Sequence, residues 1–372
     1  MKSNYKTIGE LVERIDQRNT DGTVTNLIGV SIDKKFINSV ANVIGTDLTK
    51  YKVIERYDFA VSLMQVSRDE KIPIACQKEY DKAIMSPAYP IFRVKDENII
   101  MPEYLEMWFM RPEFDRKASF IAVGGVRGSM PWDDFANMKL PVPPLQEQRE
   151  IVNGYNAITN RIALKKQIND NLLATTQAIY KSWFVDFEPF DGACPQNWQN
   201  GCVDDIAEFY DSMRKPLSSL KRADMERIYP YYGAVSIVDY VDDFIFDGEY
   251  LLVSEDGIYV VDENGHPLLQ HITGKFWANN HAHILKGKDG FNEDSLYLFL
   301  ANTNMAPIVT GAAQPKINQA NLKSFPITIP SADVIEIFNA LIQPFFDQRL
   351  SNEAEVKKLE NLKDLLLSRL IN

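Results

Sequence analysis

Through the middle of the chain, apolar residues and a few polar ones recur in alternating steps of four and three. They are Ile151, Tyr155, Ile158, Ile162, Lys165, Asn169, Leu172, Thr176, Ile179 and Trp183. This spacing keeps one stripe facing a partner helix. Pro143 and Pro144 hold extended backbone ahead of it, and Gln146, Glu147 and Glu150 place acceptors and negative charge where a helix begins. The pattern predicts a single helix from about Leu145 to Phe184, roughly 60 Å long at 1.5 Å per residue. A helix of that length must bury its stripe against another long element. A second stripe supplies it: Ile335, Phe338, Leu341 and Phe345, then Val356, Leu359, Leu362, Leu366 and Leu370. Antiparallel pairing of the two would leave a globular domain at each end. Lys165, Asn169 and Thr176 interrupt the first seam, and Pro344 is expected to kink or break the second helix. Polar seam residues can specify register. The apolar surplus, including Tyr180, Trp183, Phe184, Leu366 and Leu370, suits a protein partner.

Outside the helices the pattern changes to short alternating runs broken by turns. Tyr51 to Ile54, Ala60 to Leu63, Tyr250 to Val253 and Ile258 to Val261 read as strands, with Asp256-Gly257 and Asn264-Gly265 as turns. The order of features repeats. Gly124 through Val142-Pro143 matches Gly311 through Ile329-Pro330 at an offset of 187 positions, pairing Met130 with Ile317 and Phe135 with Leu322. Upstream the offset is 193, pairing Ile91-Phe92 with Ile284-Leu285 and Tyr104-Leu105 with Tyr297-Leu298. Ordered self-similarity of this kind marks a duplication. The predicted architecture is α+β: two β-rich globular domains (1–143 and 188–330), a central spacer helix (144–187) and a C-terminal spacer helix (331–372), related by a pseudo-two-fold.

Length and composition agree. At 372 residues, 45% hydrophobic and 24% charged, the chain suits two soluble domains plus connectors. No apolar run approaches the roughly 18 residues of a membrane span, and the first residues carry no secretory apolar region, so a cytoplasmic protein is expected. Cys76, Cys194 and Cys202 form no CxxC pair or disulfide framework and read as reduced thiols. The net charge of −11 argues at first against a polyanionic partner. Its distribution removes much of that objection. Residues 1–140 carry 20 basic and 20 acidic side chains, whereas residues 191–330 carry 10 against 19. Any face for such a partner in the second domain must therefore be a local patch.

Several segments then acquire a meaning together. Leu140-Pro141-Val142-Pro143-Pro144-Leu145-Gln146-Glu147-Gln148 and Ile179-Tyr180-Lys181-Ser182-Trp183-Phe184-Val185-Asp186-Phe187 resemble the central helical region of specificity subunits of type I restriction-modification systems. Ser86-Pro87-Ala88-Tyr89, Tyr231-Tyr232-Gly233, Asp247 through Leu252 and Trp277 through His283 extend the resemblance over essentially the whole chain. Ser331-Ala332-Asp333 departs from the Pro-Leu-x-Glu-Gln expected in the second copy. The resemblance implies a non-catalytic subunit that reads one half of a bipartite DNA target with each domain. It also implies assembly with two modification subunits to make a methyltransferase, S-adenosylmethionine sitting on those partners, and with restriction-translocase subunits in the full complex.

Reading DNA requires phosphate contacts for position and base-edge contacts for sequence. The first domain offers Lys34, Lys35, Lys50, Lys52, Ser86, Tyr89 and Arg127. The second offers the basic pairs Arg214-Lys215 and Lys221-Arg222, with Tyr231, Tyr232, Asn279, Asn280, His281, Gln314 and Lys316. Arg127 and Gln314 fall at equivalent repeat positions, and both types make bidentate base contacts, Arg to guanine and Gln to adenine. Single basic pairs and loop amides are more often plain solvated surface. His281 and His283 alternate, but no further ligand of suitable spacing accompanies them, so no metal is expected. Neither a nucleotide-binding glycine motif nor a P-loop lysine occurs, so no cofactor is expected on this chain. A stand-alone DNA-modifying enzyme and a coiled-coil scaffold without DNA binding remain as alternatives, separable by methyl-donor binding and by salt-dependent affinity for duplex.

Overall fold

The computed structural model describes residues 4–39, 46–123, 128–311 and 313–371. They divide into two compact units, Met1–Leu164 with Glu355–Asn372, and Lys165–Ala354. Each unit is built on the same frame. In the first, strand Asn4–Thr7 pairs antiparallel with Lys139–Val142, the last strand before the long helix. A four-residue helix, Ile8–Leu11, follows directly and leads into strand Val12–Ile15. In the second, Gln199–Cys202 pairs with Pro326–Ile329, and helix Val203–Ile206 leads into strand Ala207–Phe209.

Reciprocal capping starts both short helices. The Thr7 amide donates to the Glu10 carboxylate at 2.6 Å, and the Cys202 amide to Asp205 at 2.8 Å. Short helices at Trp132–Ala136 and Gln319–Lys323, and the long helices beginning at Leu145 and Ala332, keep the offset of 187 seen in the sequence.

The sheets on this frame have diverged. The first unit holds a four-stranded antiparallel sheet in the order Val12–Ile15, Ile91–Val94, Phe59–Val61, Ile74–Cys76. Two further antiparallel pairs accompany it, the hairpin Ile28–Val30 with Phe36–Asn38, and Lys52–Glu55 with Lys82–Met85. The second unit holds a six-stranded sheet in the order Ala207–Phe209, Ala282–Gly287, Phe246–Ser254, Leu269–Ala278, Tyr229–Tyr232, Ile237–Val241. Its pairs are antiparallel except that Tyr229–Tyr232 runs parallel to Leu269–Ala278. Three of the four expected strands form: Lys52–Glu55 and Phe59–Val61 within two residues of the expected bounds, and Phe246–Ser254 beginning four residues before the expected start. The fourth does not: Ile258 to Val261 is a loop, with Ile258 and Tyr259 82% and 72% exposed.

The first long helix spans Leu145–Phe184, as its periodicity predicts, and burial follows the expected seam. The second spans Ala332–Ser368 without interruption, so Pro344 does not break it. Pro344 is exposed, and Ala340, whose carbonyl loses its partner, is an exposed residue that water can serve. The seam on this helix runs through Ile335, Phe338, Ile342, Phe346, Asn352, Val356 and Leu367, and Leu370 continues it in the short turn Arg369–Ile371 that follows. Leu341 and Leu362, expected inside, are 40% and 48% exposed. Both are reached by two consecutive steps of three, 335 to 341 and 356 to 362, whereas the buried stripe steps by four from Phe338 to Ile342, and one residue turns a position about 100° around the helix.

Inside the second unit the two helices run antiparallel around a polar layer. The Lys165 ammonium donates to Asn352 at 2.8 Å, the Asn352 amide to Asn169 at 2.8 Å, and the Asn169 amide to the Arg349 carbonyl at 3.2 Å. In the first unit Arg161 pairs with Glu355.

Candidate nucleic-acid interface

In the first unit two predicted contacts are corrected. Lys34 is buried, its ammonium 2.8 Å from the Asp115 carboxylate and 2.5 Å from the Phe109 carbonyl. Burial lowers its pKa despite the Asp115 charge. Lys52 is also buried, donating to the Tyr89 carbonyl at 3.1 Å and pairing with Asp16 at 3.3 Å. Neither ammonium faces a duplex. Both lysines brace the fold, and Lys52 does so beside the turn from Ser86 to Tyr89, in which Ser86 and Tyr89 are half-buried and Pro87 and Ala88 exposed.

What that bracing presents is a cleft of about 370 Å³ lined by Arg18, Thr20, Thr49 and Lys50. The Arg18 guanidinium donates to the Lys50 carbonyl at 2.9 Å and pairs with Asp16 at 3.0 Å. Two cations and two hydroxyls in one open cleft suit a phosphate backbone. Arg18 is absent from the residues picked out by sequence, because only the bridge between Arg18 and Lys52 brings it beside Lys50. Lys35 is exposed. Arg127 lies outside the described residues.

In the second unit the hub is Glu255, which the sequence did not single out. Its carboxylate lies 2.6 Å from Arg214 and 2.9 Å from Lys316. Its amide donates to the His281 carbonyl, and its carbonyl accepts from the Ile317 amide. Arg214 also donates to the Ala282 carbonyl at 2.6 Å and pairs with Asp211 at 3.3 Å. Three segments are thereby tied into one edge: 255–261, 279–282 and 310–317.

Paired backbone hydrogen bonds between Thr310 and Lys316 close the last segment into a small loop carrying the exposed Gln314. Gly311 turns it with φ of +85°, and a side chain there would collide with the Gln314 carbonyl. Gln314, Asn280, His281, Ile258 and Tyr259 are exposed on this edge, and Lys316 is partly so. Arg214 is mostly internal and acts as a brace, which corrects its expected role. Asn279 is 8% exposed and accepts from the His281 amide, again bracing a turn.

The alternating histidines part ways. His281 is exposed and shares a 2.5 Å hydrogen bond with Asp256. His283 is fully buried, 2.6 Å from Asp211 and 2.8 Å from the Ile317 carbonyl. Burial pushes the Asp211 carboxyl up, but hydrogen bonding and charge from His283, the Ile284 amide and Arg214 outweigh it. Its pKa therefore lies below the ordinary carboxylate value. Glu255 is lowered in the same way, with Lys316, Arg214 and His283 overriding desolvation. Asp211, Glu255 and His283 could together face a cation, but Arg214 and Lys316 already supply the charge.

The other basic pair, Lys221-Arg222, lies on helix Ser219–Ala223. Lys215 and Lys221 are exposed. Arg222 pairs with Asp239 at 2.9 Å and lies over the Tyr231 ring, 4.8 Å from its centroid. Tyr231 is 2% exposed, its hydroxyl accepting from the Leu217 amide, so it is a core residue and not a contact surface. Tyr232 is half-buried against Phe276.

The expected partner surface is largely internal as well. Tyr180 is buried, and Phe184 packs 4.7 Å from Phe338 and 4.8 Å from Phe299. Trp183 packs 5.7 Å from Phe338. Leu370 belongs to the core of the first unit, and Leu366 is half-buried. The aromatic surplus at the end of the first long helix thus fills the seam with the second helix and the neighbouring core.

The model of the type I restriction modification DNA specificity domain matches residues 73–174 and 195–362, one segment in each copy of the repeat. The chain belongs to this family. A type I restriction enzyme specificity subunit of Haemophilus influenzae, HindI, is 20% identical over 98% of both chains. Another Haemophilus influenzae chain named as such a subunit, S.HindORF215P, is 36% identical over 143 residues, 37% of this chain and 36% of that relative. The type I restriction-modification specificity subunit from M. genitalium shares the fold, with a TM-score of 0.58 and 13% identity over 100% of this chain and 97% of that one. This specificity chain contains no helix long and apolar enough to cross a membrane among its described residues.

Proposed function

We propose that each unit of this specificity chain reads one half of a bipartite, asymmetric DNA target, and that the chain performs no catalysis itself. The observation that carries this reading is the duplicated frame: each copy matches the DNA specificity family, yet each bears a different sheet and different exposed side chains. Direct readout would fall to Gln314, Asn280 and His281 in the second copy and to Arg127 in the first, with Lys35, Lys50 and Arg18 on phosphates. Lys215, Lys221 and Lys316 complete the basic surface of the acidic second unit.

The long helices set the separation of the half-sites and dock two modification subunits, which carry S-adenosylmethionine. Restriction-translocase subunits join the full complex, in the cytoplasm where the target DNA lies. The testing experiment is methylation mapping with a cognate modification subunit, with and without this chain. A bipartite motif that needs the chain supports the reading, with Q314A relaxing one half-site and R127A the other, each at about 1–3 kcal/mol of base discrimination. Methylation independent of the chain would overturn it.

A further inference from the structure

In the second unit, three segments bring together Glu249 from strand Phe246–Ser254, His271 from strand Leu269–Ala278 and Asp294 from helix Glu293–Ala301. One ligand atom from each lies within 4.8 Å of the others. The three do not form an ordinary closed hydrogen-bond set. His271 Nε2 meets the Glu249 carboxylate at 2.6 Å. Its other nitrogen, Nδ1, faces Asp294 Oδ1 at 3.6 Å, beyond hydrogen-bond reach. Asp294 is 2% exposed, and its Oδ1 is buried with no hydrogen-bond partner among the described residues. A buried carboxylate oxygen without a partner is costly.

Charge and geometry both indicate what belongs between these atoms. In the tautomer whose Nε2 proton is donated to Glu249, His271 presents the Nδ1 lone pair toward Asp294, so two acceptors face one another. A carboxylate on the far ring nitrogen is the arrangement that orients and strengthens metal-binding imidazoles. Two ligands each roughly 2.0–2.1 Å from a tetrahedral zinc ion sit about 3.3 Å apart, close to the observed separation. Burial, opposed by His271 and joined by the charges of Glu249, Asp347 and Glu293, pushes the Asp294 carboxyl up to about 7, the shift of a carboxylate that lacks a cation beside it.

Two rings, themselves 6.1 Å apart, pack against the imidazole. Tyr297 stacks at 6.3 Å, and Phe346 of the second long helix meets it edge-on at 5.8 Å. Of the three clustered residues only His271 borders a cavity, one of about 130 Å³ lined also by Leu269, Tyr297, Phe346, Arg349, Leu350 and Glu353.

We infer that His271 Nδ1 and Asp294 Oδ1 bind a zinc-class divalent cation, with Glu249 orienting the imidazole and water filling the remaining positions. The ion pins the recognition sheet and helix Glu293–Ala301 to each other beside the second long helix. This inference is independent of the DNA reading.

The full chain, stripped with chelator, is titrated with Zn²⁺ by calorimetry and with Co²⁺ by visible absorption. One equivalent should bind, Co²⁺ should give the intense bands of a low-coordinate site, and the melting temperature should rise with the metal. E249A should weaken binding about 10- to 100-fold. D294N should abolish it while leaving a folded chain, because the neutral amide keeps the shape and removes the unpartnered charge. H271Q should abolish it too, a second check should one variant misfold. Absence of binding to the wild type, or binding unchanged in D294N and H271Q, would overturn the inference.

Discussion

At the scale of single residues, the chain spends several of its charged groups on holding loops instead of presenting them. Lys34 illustrates this. Its side chain is 8% exposed and that of Asp115 13%, and Asp115 also accepts from the Ile72 amide at 3.2 Å. Breaking such a pair on one side leaves an uncompensated charge. K34M should destabilise the first unit by about 3–5 kcal/mol in denaturant unfolding, and K34M/D115L should recover much of that loss. An unperturbed K34M would mean the pair contributes nothing.

Asp211 and Glu255 make a matching pH prediction. Their folded pKa values lie below the ordinary 3.8 and 4.5, so the unfolded chain binds protons first as pH falls. Their stabilisation is complete above the unfolded values and is lost as pH drops through the depressed folded ones. The melting temperature of the wild type should fall steeply below about pH 4, and D211N, already less stable at neutral pH, should show a flatter acid limb. Parallel acid limbs would refute the assignment. None of these pairings was legible in the sequence, where Lys34, Lys52 and Arg214 look like any surface cations. Sequence spacing reports runs of charge but not which way a loop folds back.

At the scale of elements, periodicity was the most informative signal, and its failures are instructive. It located the first long helix to its ends, because 40 residues of consistent pattern average out local exceptions. On the second helix it named Leu341 and Leu362, which face out, because two steps of three in succession fall short of the 3.6-residue turn and leave the buried stripe. It also gave too much weight to Pro344 as a breaker, since an exposed carbonyl can turn to water. The loop at Ile258 and Tyr259 was misread as a strand because four apolar residues in a row look the same in either setting.

Asn169 and Asn352 sit in a layer where leucines would pack better. Buried polar residues at such positions fix register at a cost in stability. N169L/N352L should therefore raise stability by about 1–4 kcal/mol, with mixed association states appearing in sedimentation. A less stable variant of unchanged association would show that the amides support the seam instead of selecting it.

At the scale of the molecule, duplication is the organising fact, and two copies with one frame and two sheets provide two different surfaces. If the long helices act as a ruler, matched removal of one heptad from each shortens them by about 10 Å, or roughly three base pairs. Methylation mapping of that variant should show a correspondingly shorter unread spacer between unchanged half-sites. An unchanged spacer would refute the ruler and leave the two readers intact.

By itself, the sequence determined the repeat, the long helices and the family, because each is a pattern spread over many positions that survives local exceptions. Only the tertiary structure decided which cations are braces and which are free, and that Arg18 joins Lys50 while Glu255 gathers Arg214, Lys316 and the loop carrying Gln314. It also decided that His271 and Asp294 face one another. Those outcomes depend on loops closing across tens to hundreds of residues. The free energy of a buried charge, and hence its role, is set by what arrives beside it and not by its neighbours in the chain.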